Sequence, residues 1–390
     1  MSGRKDIAAI VLAAGLSSRM GALKPLLRLG EEIVIGRVIQ AARDAGVDRI
    51  HVVVGHRAEE IVPHVLRMGA MPVLNPDYRS GMLSSVKAGI TSLDENAFGC
   101  LLMPVDIPLV RPTTVIRVIE EALRGDALLV HPVFLGERGH PPFIACELFA
   151  ELLAADGSEG ACAILSRHER EAVEVAVFDE GCLRDMDTPR DHRELNAALA
   201  GQAVPNGAEC LAMFEAAQTP VPVRRHGRAV ADLAVTLAER LNRAGLSLDV
   251  ARIRAAALLH DIAKGRPHHA AAGARMVRDF GFPDLFEIID RHMALPARPV
   301  AIDETAVVYL ADKLVSGERR VSLDQRFAPA LERFAGNEEA CAGARRRLAD
   351  ARAIAALMEA AGGRGILSDA RSDQEPAAVA SSHALREIAS

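Results

Sequence analysis

The sequence predicts an α/β domain with a mostly parallel sheet, followed by an all-helical domain, and three observations carry that expectation. In the first half, short runs of branched apolar residues alternate with amphipathic stretches, the spacing of a parallel sheet wrapped by helices. In the second half those runs vanish, and Ala- and Leu-rich segments of 3.6-residue spacing follow one another. Between the two, AGQAVPNG at residues 200–207 interrupts the helical pattern with Gly, Pro and Asn. The expected boundaries are 1–200 for the α/β domain, 201–207 for a linker, 208–360 for the helical domain and 361–390 for a disordered tail.

In chain order, Ile7–Leu12 is short and branched enough for a buried strand. Ala13, Ala14 and Gly15 follow, with Ser17, Ser18 and Gly21 close behind, so the backbone can turn with its N–H groups uncovered. Such a loop reads either as a simple tight turn or as a phosphate cradle. Arg19 and Lys24 add a forked cation and a point charge, which suit a triphosphate. Neither G-x-x-x-x-G-K-[ST] nor G-x-G-x-x-G is present, so a P-loop or a dinucleotide turn is not indicated. The alternation continues with a helix over 31–45, a strand over Ile50–Val54, a helix from Ala58, a strand over Met71–Leu74, a helix from Met82, a strand over 100–105 and a helix from Thr113. Ligands in such sheets bind beyond the carboxyl ends of the strands, where the loop, Asn75 and Asp106 fall.

Residues 75–85 put Asn75, Gly81 and Ser85 in a turn-rich stretch ending at a helix start, which reads as a Ser-capped turn or as a source of polar groups for a ligand. Asp106, just past an apolar strand, is either a cap or a holder of Mg²⁺, which takes one or two carboxylates plus phosphates and water. Asp187 precedes an expected helix over Pro189–Leu199 and reads equally as its N-cap. Residues 132–142 form a hairpin-like turn holding Arg138, Gly139 and His140, then an apolar strand over 143–146. Helices are expected over 209–218, 221–244, 249–262, 269–280, 284–292, 305–314 and 324–359. On them stand His226, His260, Asp261, His269, His292 and Asp312, nitrogen and oxygen ligands suited to Fe, Mn, Co or Zn. A single His on an apolar helix is commonly a core residue, so the set rather than any member carries the reading.

The net charge of −6 gives no overall basic face, and nucleic-acid binding is not expected. Six cysteines without a C-x-x-C pair form neither a zinc motif nor a disulfide framework, which fits a reducing cytoplasm. Residues 1–6 are too short and polar for a signal peptide, and no apolar run is long enough for a bilayer, so a soluble cytoplasmic protein with no membrane partner is expected.

LAAGLSSRMGALKPLL, residues 12–27, resembles the N-terminal signature of the molybdenum-cofactor nucleotidyltransferases, in particular the cytidylyltransferase branch of that glycosyltransferase-A-like superfamily. In that family LAAG goes with CTP and LAGG with GTP, so the resemblance implies CTP through Ala14, and nucleotide contacts by Leu12, Ala13, Ala14, Gly15, Arg19 and Lys24. It implies base and ribose contacts by Asn75, Gly81 and Ser85 from N…GM-x-S-S, and Mg²⁺ on Asp106 with Asp187 of D-x-D-T-P as second ligand. R-G-H-P would put Arg138, Gly139 and His140 at the pterin-phosphate side. Residues 156–161 resemble D-x-G-A-R, but Cys162 stands where the family usually has Arg. The implied reaction is in-line displacement at the α-phosphorus of CTP by the phosphate of molybdopterin, with pyrophosphate leaving and the product handed to a molybdoenzyme or its chaperone. Another phosphorylated acceptor is the alternative.

AALLHDIAK, HAAAGARMVRDFG, IIDRHM and YLADKL resemble the HD phosphohydrolase superfamily. The resemblance implies one divalent transition metal on His226, His260, Asp261 and Asp312, and a second on His269 and His292 with Asp261 bridging. His268 is an alternative to His269, and Lys264 either meets substrate phosphate or is solvated. A helical domain that senses nucleotides without turning them over is the competing reading.

Overall fold

The computed structural model describes residues 6–125, 127–156, 160–363, 365 and 367. Residues 157–159, within the D-x-G-A-R-like segment, and most of the expected tail lie outside those described. The chain divides into two compact units, Met1–Gln202 and Ala203–Ser390.

The first unit holds strands β1 (Ile7–Leu12), β2 (Arg28–Leu29), β3 (Glu32–Ile33), β4 (Ile50–Val54), β5 (Met71–Leu74), β6 (Gly99–Pro104), β7 (Leu129–Phe134), β8 (Glu137–Arg138), β9 (Phe143–Ala145) and β10 (Ala172–Ala176). Its helices are α1 (Val34–Asp44), α2 (Ala58–Arg67), α3 (Met82–Thr91), α4 (Pro112–Arg124), α5 (Phe149–Ala154), α6 (Ala161–Leu165) and α7 (Pro189–Leu199). The sheet runs β10-β7-β9-β6-β1-β4-β5, with β8 paired to β7. β1 is central because IAAIVL is apolar on both faces, as a strand covered by helices on both sides must be. It pairs in parallel with β4 and β6, and Leu12 stands level with Val53 and Pro104, so the three strands end together. Their carboxyl ends release the small-residue loop, Gly55 and Asp106 at one edge of the sheet.

Two features depart from the sequence reading. β9 runs antiparallel to both β6 and β7. The helix expected over 31–45 starts only at Val34, because residues 28–33 fold as a two-stranded hairpin over Gly30, whose φ of 66° suits glycine.

The second unit is helical: α8 (Gly207–Ala216), α9 (Val221–Arg243), α10 (Val250–Leu259), α11 (His269–Asp279), α12 (Phe286–Arg291), α13 (Glu304–Lys313), α14 (Leu323–Arg333) and α15 (Glu338–Gly362). Gly207 is thus helical rather than linker, with Asn206 as its cap in a reciprocal pair with Glu209. The expected helix over 249–262 stops at Leu259, and residues 260–264 continue as turns. The helix expected over 324–359 is two, because Gly336 and Asn337 interrupt it and the Asn337 side chain caps α15 by accepting from Ala340 N–H. A small hairpin, β11 (Val315–Ser316) and β12 (Arg319–Arg320), appears where no strand was expected, turning at Gly317 with φ of 59°. Among the described residues no helix is long and apolar enough to cross a membrane.

Candidate active sites

The loop after β1 opens onto a cleft of about 360 Å³. Leu12, Ala13, Ala14 and Gly15 line one wall, Gly81 and Ser85 another, and Lys24 and Asp106 the floor. A methyl group added at Gly15 would meet nothing within 4 Å, so this stretch of backbone faces open space. Gly81 has φ of 99° where the chain turns into α3, a conformation that side chains rarely adopt.

Charges gather at the floor and beside it. Lys24 Nζ lies 2.9 Å from Asp187 Oδ1 and 3.3 Å from Asp106 Oδ2, and an Arg19 guanidinium nitrogen lies 2.6 Å from Asp187 Oδ2. The Lys24 hydrogen bond, aided by Arg19, holds the Asp187 carboxyl below its ordinary range. The two carboxylates come from distant segments, joined where Met186 N–H donates to the Asp106 carbonyl at 2.8 Å. A second tie is Asp179, nearly fully buried, which accepts from Arg111 N–H at 2.7 Å, the Arg111 guanidinium at 3.1 Å, Thr114 Oγ1 at 2.8 Å and Gly181 N–H at 3.0 Å. It clamps the segment after β6 to the one that leads into Asp187. The cap of α7 is Thr188 rather than Asp187, and Asp191 takes the backbone N–H of both. Asp187 is thereby free of capping.

Other expected binding residues sit differently. Asn75 is buried; its amide donates to Ser84 Oγ at 2.9 Å and Ser85 Oγ at 3.0 Å and its oxygen accepts from Asp77 N–H at 3.0 Å. It therefore holds Ser85 in place and does not itself line the cleft. Arg138 is engaged by Glu169 and Glu174. His140 donates its backbone N–H to Cys182 O at 3.0 Å, while burial pushes its imidazole pKa down despite Asp106. Gly139 and His140 are absent from the residues that line the cleft. Sequence reading missed Tyr78, Arg79 and Met82, which line it, with the Arg79 guanidinium 5.3 Å from the Tyr78 ring centre. The aromatic and the exposed methionine beside a ligand-like turn were the available signal.

In the second unit six side chains converge. Asp261 Oδ1 faces His269 Nε2 at 3.2 Å and His292 Nε2 at 3.5 Å, while its Oδ2 faces His260 Nε2 at 3.5 Å and Lys264 Nζ at 2.9 Å. Asp312 Oδ1 faces His226 Nε2 at 3.2 Å and His260 Nε2 at 3.6 Å. The donors form two sets that share Asp261: His226, His260 and Asp261, and Asp261, His269 and His292. His268 is exposed, with φ of 49°, just before α11.

The ring tautomers follow from the backbone. Nδ1 of His226, His260 and His292 faces the carbonyls of Gly317, Ala257 and Ile289 at 2.8, 2.7 and 2.7 Å. A carbonyl only accepts, so each Nδ1 carries a proton, and each Nε2 faces the cluster, where it can offer a lone pair to a metal once the imidazole is neutral. Nε2 of His260, His269 and His292 and Oδ1 of Asp261 are buried without a hydrogen-bond partner. Buried polar atoms are seldom left so, because desolvation is uncompensated. A divalent ion on each donor set would satisfy them, so the residues present fit such a group. Burial opposes ionisation of both carboxyls, but the facing imidazoles hold Asp261, and Lys313 followed by the facing imidazoles holds Asp312, well below the ordinary range. Burial likewise opposes charge on His260, yet the two carboxylates outweigh it and push its imidazole up to about 9. The cluster demands positive charge, which a proton or a cation can supply.

Comparison with known proteins divides the chain in the same way. Residues 9–173 match the family model of the MobA-like NTP transferase domain, and residues 223–317 match that of the HD domain. The molybdenum cofactor cytidylyltransferase of Escherichia coli (strain K12) is 28% identical over 185 residues, which are 47% of this chain and 91% of that protein. The protein MJ0778 of Methanocaldococcus jannaschii is 32% identical over 134 residues, 30% of this chain and 79% of that protein. The crystal structure of an Rv0371c homolog from Mycobacterium sp. strain JC1 is similar to 50% of this chain and 98% of its own, with a TM-score of 0.46 and 30% identity.

Proposed function

We propose, for a chain built from a MobA-like NTP transferase domain and an HD domain, that the first unit transfers CMP from CTP to the phosphate of molybdopterin with release of pyrophosphate, and the second hydrolyses a phosphoester. The observation that carries the first part is the meeting of Lys24 and Asp106, which line a cleft walled by bare backbone, with Asp187 and Arg19, which pair in turn with Lys24 and with Asp187. In the structure these charges neutralise one another. Two cations beside two carboxylates are the groups a triphosphate and its Mg²⁺ require, and on binding they would exchange partners: Lys24 and Arg19 to phosphate oxygens, Asp106 and Asp187 to the metal. Mg²⁺ would supply charge neutralisation at the phosphates. The chain's own part is positional and electrostatic. Lys24 and the N–H groups of the loop stabilise charge moving onto pyrophosphate, Asn75 fixes Ser85 for the ribose side, and no covalent nucleophile is needed.

The cytidine preference rests on Ala14 in LAAG and on the resemblance to the Escherichia coli cytidylyltransferase. The acceptor has a second reading. The bifunctional IPC transferase and DIPP synthase of Rubrobacter xylanophilus is 40% identical over 101 residues, though these are 23% of that protein, and this likeness favours an acceptor other than molybdopterin.

In the second unit the two donor sets sharing Asp261 support a pair of divalent metals, as an HD domain implies. Such a pair would supply an activated water and charge stabilisation for a leaving oxygen. Lys264, beside Asp261 and nearly half exposed, is placed to meet a substrate phosphate.

The test incubates the purified protein with each nucleoside triphosphate, Mg²⁺ and molybdopterin, and follows pyrophosphate and the pterin product. CTP should give a kcat/KM ~10-fold or more above GTP, the range available when a site discriminates by a few contacts. A GTP preference rejects the base assignment; pyrophosphate release only with another phosphorylated acceptor selects the second reading.

A further inference from the structure

Lys313 is a cation held inside the metal-ligating cluster and has no assigned part in it. Its side chain is 5% exposed. Its Nζ donates to Asp312 Oδ2 at 2.5 Å and to the backbone carbonyl of His292 at 2.9 Å. The ammonium also lies 4.8 Å from the ring centre of Tyr309, one turn back on α13. Tyr309 is itself fully buried and donates its hydroxyl to Arg347 O of α15 at 3.2 Å. Every residue of α13 from Thr305 to Lys313 is buried, so the ammonium has no room to swing away.

Both groups that Lys313 holds put ligands in place, on different sides of the centre: Asp312 faces two members of one donor set, and His292 belongs to the other. Asp312 offers Oδ1 to the side of His226 and His260, and Lys313 occupies its other oxygen. His292 faces Asp261 Oδ1 on the other side, and Lys313 grips the backbone of that residue, just past α12. Neutralising Asp312 alone would not need the second hydrogen bond. A carboxylate with both oxygens free can chelate one ion, whereas an oxygen held by an ammonium that cannot leave is lost to the metal; Lys264 on Asp261 Oδ2 is nearly half exposed and can turn out to solvent, but Lys313 is enclosed.

We propose that Lys313 is a positioning residue of this centre: it restricts Asp312 to one-oxygen ligation of the first metal and fixes His292 for the second, keeping the two metal positions distinct. The inference rests on the reading of the second unit as a two-metal site, and the experiment separates the two. Apo full-length protein is titrated with Co²⁺, followed by visible absorption and by metal content after desalting, for the wild type, Lys313→Met and Lys313→Gln. After desalting, which removes an ion held only at the open cleft of the first unit, the wild type should retain two ions per chain. Lys313→Met should bind the second ion at least tenfold more weakly and shift the absorption band of the first, with Lys313→Gln, which keeps hydrogen-bonding capacity, falling between. Wild type without Co²⁺ would overturn the metal reading and this inference with it. Two ions in the wild type, with unchanged affinities and spectrum in folded variants, would overturn the role of Lys313 alone. The crystal structure of the Co²⁺-loaded wild type needs no variant: Asp312 chelating through both oxygens would refute the proposal, and Lys313 on Oδ2 with Oδ1 on the metal would support it.

Discussion

Asp106 and Asp261 both sit among cations, yet the environments ask different things of them. Asp106 is about a third exposed where it lines an open cleft and shares Lys24 with Asp187. Its replacement therefore removes a ligand without opening a cavity. Asp106→Ala should lower nucleotidyl transfer ~10²–10³-fold or more, in line with loss of a group that acts on developing charge. Its melting temperature should stay near that of the wild type. A folded variant with near-normal pyrophosphate release would remove Asp106 from the machinery. Asp261, by contrast, offers one oxygen to each donor set, whereas His292 belongs to one. Asp261→Ala should empty both metal positions and His292→Ala only one, so elemental analysis should give about zero and about one ion per chain under the two-metal logic. Equal losses would argue against the bridging role. Of these residues, the histidines and aspartates were legible in the sequence because few alternatives explain so many ligand-type side chains on apolar helices. Asn75 was legible as important but not in its role, because only the structure shows its amide committed to Ser84 and Ser85.

At the scale of elements, α9 and α10 bring His226 against His260, and their approach is set by Gly227. A methyl group there would overlap the carbonyl oxygen of Leu258. Two effects oppose each other in Gly227→Ala. Helix propensity favours Ala by ~0.5–1 kcal/mol, while forcing apart a packed contact costs ~1–3 kcal/mol. The displaced atom is backbone, which cannot rotate away, so the steric term should win and the variant should lose ~1–2 kcal/mol. It should also bind metal ~10-fold or more weakly, because a helix shift separates His226 Nε2 from Asp312, and misplaced ligand supports cost about that much. Co²⁺ titration against thermal unfolding tests this; unchanged metal affinity in a destabilised variant would show that the spacing serves packing alone. The same scale shows what the sequence conceals. β1, β4 and the helix Pro189–Leu199 announce themselves through long apolar runs and a Thr-Pro start. The hairpins β2–β3 and β11–β12 have strands of two residues, too short to carry a period. The second of these matters for chemistry, since the Gly317 carbonyl at its turn orients the His226 ring. Nor could periodicity reveal that β9 is antiparallel, because a three-residue buried strand looks the same in either direction.

For the whole molecule, the proposed function gives the two compact units two metal requirements of different chemistry. The first offers carboxylate oxygens at an open cleft, which suits Mg²⁺ held together with phosphates and readily exchanged. The second offers four imidazoles and two carboxylates, four of the six buried and the other two half-buried, with three Nε2 atoms aimed inward by backbone carbonyls on Nδ1. Nitrogen-rich sites of this kind favour transition metals, and their burial slows exchange. Prolonged dialysis against a chelator at neutral pH should therefore strip both units but allow them to be restored separately. Mg²⁺ alone should return nucleotidyl transfer to its original rate while phosphoester hydrolysis stays at background. Later addition of Fe, Mn, Co or Zn should restore hydrolysis without raising transfer. The stripped protein should also unfold at lower temperature, because an ion that binds only the folded state stabilises it by mass action, ~2.7 kcal/mol at a hundredfold excess over the dissociation constant. That stabilisation should return with the transition metal and not with Mg²⁺, a readout independent of either activity. If Mg²⁺ alone restored hydrolysis and the melting temperature together, the second centre would be an oxygen-ligand site after all. The inward-facing imidazoles would then need another explanation.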